Sequence, residues 1–329
     1  MSGGETANIA KKAEIISKLM FDEFLWEESG SRNQSWPCCA NKVHGGRKTH
    51  PTDCVYYYDE PYRKVRTYIN VDVKSFASAS ISKGAIEAAL VSLAQAIECA
   101  NQSQDWRDLY IHDGYSYEVC GMLFIYNHDG EYPAGKFAQE MDKIKIEKLK
   151  IPQGQRIVVY GPDEINWLNN VRYDIRALRG GTPARIPARA RCKFFYPNLV
   201  RSKNVQPIRA KAATIEMLCS PWIIMQHGEI GQRSAGYVIY YRGKGVCEDE
   251  FLYLIDYLMH YQMLQAGVSV LIRLYNTDEL AASFFLKAKQ RYLDSYGQSD
   301  DLKELLDGVV VEGMTDIVTK FSSIEVGMA

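Results

Sequence analysis

Apolar residues at Ile9, Ala13, Ile16, Met20 and Phe24 recur at the spacing of a helix, which predicts α-structure from Asn8 to Trp26. Phe21 and Leu25 lie off that stripe, so this helix is expected to be buried on more than one side. Residues 27–51 are rich in Gly, Ser, Asn and Pro and read as a long irregular loop. Two β-rich runs follow around a turn at "DEPYRK". A five-turn helix comes next, "ISKGAIEAALVSLAQAIECA", and then a strand, "EVCGMLFIYNHDG". After it come a charged helix, "KFAQEMDKIKIEKLK", a strand, "QRIVVYG", and a helix opening on Pro162 and two acids. The order α, β, β, α, β, α, β predicts an α/β (α+β) fold, a mixed sheet flanked by helices. Strands at "SAGYVIYYRG" and "VSVLIRLYN" alternate with helices over 247–265 and 277–297, which predicts a second α/β domain. The expected boundaries are 1–161 and 162–329.

The first hairpin, "HPTDCVYYYDEPYRKVRTYINVDVKSF" over 50–76, can be tested by register. With Tyr62 and Arg63 at the centre of the turn, facing residues have numbers summing to 125, so Asp53 opposes Asp72. Directly opposed side chains on an antiparallel pair have Cβ atoms roughly 4.5–5.5 Å apart. Period-two alternation puts Lys74 on the face of Asn70 and Asp72. Two carboxylates at that distance repel unless a positive charge lies between them. A hard divalent cation such as Mg²⁺ suits a site of few oxygen ligands. The neighbouring ammonium can act on a water or hold charge on a phosphate. The competing reading is an exposed hairpin with an incidental acid-x-Lys triplet, a pattern that recurs at Asp301-Leu302-Lys303.

An acid after a proline at a strand start, D-x-K on the next strand and a preceding acid-bearing helix together resemble the PD-(D/E)XK nuclease superfamily. The resemblance spans roughly residues 8–130, with the sheet completed by 161, and implies a restriction-endonuclease-like core. It implies that Asp53 and Asp72 bind Mg²⁺ (or Mn²⁺), that Lys74 assists the attacking water, and that a helix acid completes the site. Glu14 is the favoured helix acid, with Glu23 and Glu28 as alternatives. The sequence has "PTD" where proline and aspartate adjoin in the family pattern.

Charge adds a second signal. The chain carries a net charge of −1, yet between Asp174 and Glu216 it has no acid and ten Lys and Arg. That leaves a basic segment over 176–211 on an otherwise acidic chain, a directed surface for a nucleic-acid backbone. Arg185, Arg189, Arg191, Lys193, Arg201 and Lys203 are the candidate phosphate contacts, with Phe194, Phe195 and Tyr196 as a stacking platform. A solvated basic loop is the plainer alternative. Cys38, Cys39, His44, His50 and Cys54 crowd one loop, but no C-x-x-C pair is present, so zinc there is left open. His50 could instead contact phosphate or orient Asp53. The eight cysteines form no disulfide framework, and the N-terminal residues lack the order of a secretory signal, so a reduced cytoplasmic setting is expected. No P-loop, G-x-S-x-G elbow or H-E-x-x-H is present.

These readings predict a Mg²⁺-dependent DNA endonuclease, with RNA not excluded. By analogy with the family it is a prokaryotic antiviral defence effector, under a regulatory protein partner or as a homo-oligomer. Two rivals stand beside it: an inactive nucleic-acid-binding module and an interaction subunit of a defence complex.

Overall fold

A computed structural model describes residues 3–149, 151–197 and 210–317, with side chains from residue 8 onward. The chain divides into two compact units, Met1–Asn166 and Trp167–Ile317.

In the first unit, α1 (Gly3–Glu23) buries Ala13, Ile16, Met20 and Phe21, and Phe24 just past its end is buried too, so two faces are covered as the off-stripe residues predict. It ends three residues short of Trp26 because Leu25 takes a left-handed φ of 66°. Trp26 N–H then bonds back to Phe21 O at 3.1 Å, the six-to-one closure of a Schellman end. The indole folds onto Phe21, with ring centroids 4.5 Å apart. The helix also begins before the apolar stripe does, at Gly3 rather than Asn8.

The expected irregular loop over 27–51 contains three short strands, β1 (Glu27–Ser29), β2 (Gln34–Pro37) and β3 (Thr49–Thr52). Strands of three or four residues are too short to show a period. β2 and β3 pair as a separate two-stranded sheet, while β1 joins the main one. β4 (Cys54–Asp59) and β5 (Val65–Phe76) form the predicted hairpin. Then come α2 (Lys83–Ala100), the unpredicted α3 (Gln104–Tyr110), β6 (Ser116–Asn127), α4 (Lys136–Asp142) and β7 (Ile157–Tyr160). α4 stops at Asp142, well short of the charged helix expected to Lys150, whose later residues include a 3₁₀ turn at Ile146–Lys148.

The main sheet runs β1-β4-β5-β6-β7. β4 is antiparallel to β1 and β5, and β5-β6-β7 are parallel. The sheet is mixed and flanked by helices, as a restriction-endonuclease-like core requires. α2 lies so close to β6 that a Cβ on Gly121 would sit 3.0 Å from Ile97 and 3.1 Å from Leu93.

α5 (Pro162–Gly180) carries the division between the units. The second unit holds β8 (Cys192–Phe194), α6 (Ile215–Cys219), β9 (Trp222–His227), β10 (Gly236–Tyr241) and α7 (Glu248–His260). β11 (Ser269–Leu274), α8 (Ala281–Tyr296), α9 (Asp300–Asp307) and β12 (Val309–Gly313) complete it. Its sheet runs β12-β11-β10-β9-β8, parallel at β10-β11-β12. Phe251, Leu254, Ile255 and Leu258 of α7 are core residues. No helix among the described residues is long and apolar enough to cross a membrane.

Candidate active site

The hairpin keeps the expected register: Cys54↔Val71, Val55↔Asn70 and Asp59↔Arg66 all sum to 125. The ladder ends one pair early. Asp53 lies in a bend between β3 and β4, and its Oδ2 accepts a 2.6 Å hydrogen bond from Val73 N–H. The residue between Pro51 and Asp53 accounts for the bend. Thr52 is buried, accepts from Trp36 Nε1 at 2.9 Å and donates to Asn70 Oδ1 at 2.8 Å. Trp106 Nε1 reaches the same Asn70 oxygen at 3.3 Å. This chain of buried hydrogen bonds holds the end of β3 against β5 and turns Asp53 toward the backbone of Val73. Buried polar residues of this kind look the same in sequence as exposed ones, so the network was not foreseen.

Asp72 and Lys74 sit half-buried on β5, with Lys74 Nζ 2.5 Å from Asp72 Oδ1. Burial pushes the Asp53 carboxyl up to about 6, against the pull of the Val73 N–H, and Asp72 raises it further. Lys74 lowers it, and Glu14 adds another raising charge. Glu14, half-buried on α1, is therefore within electrostatic reach of Asp53. Glu28 is not a helix residue: it lies on β1 and pairs with Arg32, with Lys18 at 3.4 Å. Glu23, on the last residue of α1, is half-buried. Arg32 also donates to Glu14 O at 3.3 Å and to Tyr56 Oη at 2.8 Å. It thereby ties the turn of α1 that bears Glu14 to β4, a positioning role unforeseen because Arg32 sits in the supposed loop.

His50 neither orients Asp53 nor faces solvent. It is fully buried, 5.0 Å from the Trp36 ring, and neither ring nitrogen has a hydrogen-bond partner among the described residues.

The basic segment departs from expectation more sharply. Arg185 makes a bidentate pair with Glu312 at 2.7 and 3.1 Å, so its charge is already answered. Phe194 is buried, Phe195 packs edge-on to Tyr237, and Tyr196 Oη bridges Ala212 O and Thr214 N–H. Phe194 supplies the inward face of β8, while Phe195 and Tyr196 follow the strand half-buried and engaged by these partners. Lys193 points outward between buried Cys192 and Phe194, and Arg191 is exposed beside Gly228. Arg189 is half-buried in the 3₁₀ turn before β8. Arg201 and Lys203 lie outside the described residues.

Residues 1–164 match the family model of the GAPS4 protein PD-(D/E)XK nuclease domain. No curated protein and no solved structure matches the chain.

Proposed function

The N-terminal half of the chain belongs to the PD-(D/E)XK nucleases, and on that premise we propose that the protein is a divalent-metal-dependent DNA endonuclease of antiviral defence. The observation that carries this reading is the meeting of Asp53, Asp72 and Lys74 where the β4-β5 ladder ends, with Glu14 acting on the same carboxyl. The donor set fits Mg²⁺ or Mn²⁺: hard carboxylate oxygens, with the Asp53 pKa raised by burial and by its acidic neighbours, a penalty that a bound cation offsets. Asp53 and Asp72, with Glu14, would hold the ion. When bound, the ion supplies Lewis-acid activation of the phosphodiester. Asp72 fixes the Lys74 ammonium beside the reacting centre, where it holds negative charge on the phosphate and orients the attacking water. Val73 N–H and the Thr52–Asn70 chain hold Asp53 in place, which keeps the acids converged. Lys193 and Arg191 offer exposed positive charge to a nucleic-acid backbone. The defence role follows the association of the matching family.

The test is supercoiled plasmid incubated with the purified chain and Mg²⁺ or Mn²⁺, beside Asp72→Ala. Nicking or linearisation by the wild type alone, abolished by EDTA, is the expected result. Equal nicking by Asp72→Ala overturns the site. Salt-sensitive DNA binding with no cleavage under either metal gives the inactive binding module instead, and protein association with neither activity gives the interaction subunit.

A further inference from the structure

Besides the acids, the first unit gathers a second set of ligating atoms. Cys38 follows β2, His44 lies in the turn after it, His50 is on β3, and Cys99 is in the last turn of α2. One ligand atom from each lies within 4.8 Å of every other. Cys38 Sγ is 3.8 Å from Cys99 Sγ and 3.3 Å from His44 Nδ1, and Cys99 Sγ is 3.6 Å from that nitrogen. A tetrahedral ion with Zn–S near 2.3 Å and Zn–N near 2.0–2.1 Å requires sulfurs about 3.8 Å apart and S···N of about 3.6 Å. The sulfur pair matches that spacing, and the two S···N distances lie within about 0.3 Å of it. A disulfide, by contrast, would need sulfurs at about 2.0 Å.

Two further observations point to a ligand. His50 is fully buried, yet neither Nδ1 nor Nε2 has a hydrogen-bond partner among the described residues. A buried polar group left without a partner is costly, so this ring is set to bind something at the cluster. His44 presents its other nitrogen, Nε2, to Glu98 Oε2 at 2.7 Å. A carboxylate behind an imidazole fixes the tautomer and aims the opposite nitrogen, here Nδ1, at a metal.

We propose that Cys38, His44, His50 and Cys99 bind a structural Zn²⁺, closed by four protein ligands and independent of the carboxylate site. Two thiolates and two imidazoles select a soft or borderline ion over Mg²⁺ and balance the charge of a divalent one. Cys39 is outside the set: it is exposed, and its thiol points to Cys99 O at 3.9 Å. Cys54 is buried on β4 and does not join the group. The ion would tie the β2-β3 connection to the end of α2, and so anchor the strand that leads from His50 to Asp53.

Elemental analysis of the full chain, purified without chelators, tests this directly. About one zinc per chain is expected, retained in Cys39→Ser and lost in Cys99→Ser. Should Cys99→Ser fail to fold, Co²⁺ exchange into the wild type decides. Thiolate-to-cobalt charge transfer with tetrahedral d–d bands supports the site. A chelator should lower the melting temperature, and Zn²⁺ but not Mg²⁺ should restore it. A folded wild-type chain free of zinc, a Cys38–Cys99 disulfide in a non-reducing digest, or equal zinc loss from Cys39→Ser overturns the proposal.

Discussion

The carboxylates at the end of the β4-β5 ladder and the Cys/His cluster between β2, β3 and α2 come within two intervening residues of each other, between His50 and Asp53, yet they are built on opposite principles. The acids are half-buried and mutually repulsive, offset by Lys74 and by a backbone N–H. The Cys/His cluster is largely buried, joins Cys38 to Cys99 across a separation of 61 positions, and leaves an imidazole without a hydrogen-bond partner among the described residues. Charges that repel are kept for chemistry at a cost in stability. Soft ligands sealed from water contribute to folding outright when they hold an ion. The two regions should therefore respond to substitution in opposite ways.

The largest effect is expected at Asp72. Asp72→Ala should cost on the order of 10³-fold or more in plasmid cleavage while leaving the melting temperature unchanged or raised. A large drop in melting temperature would erase the contrast between the two regions. Lys74→Ala should cost about 10²-fold in the same assay, with DNA affinity nearly kept. On the other side, Glu98→Gln should weaken zinc binding by roughly 10–100-fold in a chelator competition and leave cleavage at saturating Mg²⁺ close to wild type. Asn70→Ala lies between the regions and should destabilise by about 1–3 kcal/mol in denaturant melts, because Thr52 and Trp106 lose their shared acceptor.

The smallest effect is a control in the second unit. Arg185 holds the Glu312 carboxyl below its usual range despite partial burial, with Arg273 assisting. A depressed carboxylate contributes stability above its unfolded pKa and loses it as pH falls through the folded one. Glu312→Gln should flatten that acid-side decline in a melting-temperature profile.

How much of this was legible follows from the reach of each signal. The hairpin register could be counted because a short turn and a period of two leave little freedom, and the observed ladder sums to 125 throughout. The mixed sheet and the helices over 83–100 and 162–180 carried long periods of their own. β1, β2 and β3 were too short for a period, and so the positions of Glu28 and Arg32 were hidden in an apparent loop. Cys99 read as one more apolar position on an amphipathic helix. Only the fold brings it to Cys38. The run Phe194-Phe195-Tyr196 could be read as platform or core, since three residues do not separate a strand's inner face from its outer one.

β5 outruns its partner. It continues to Phe76 alongside β6, whereas β4 begins only at Cys54, opposite Val71. Past that step the Val73 amide has no strand carbonyl on the β4 side, and the Asp53 carboxylate serves as its acceptor. One side chain thus belongs both to the sheet edge and to the candidate ion site. Any ligand that draws Asp53 away must leave the Val73 amide to water. Hydrogen exchange at that single amide would then report whether Asp53 keeps its place, without a turnover being measured.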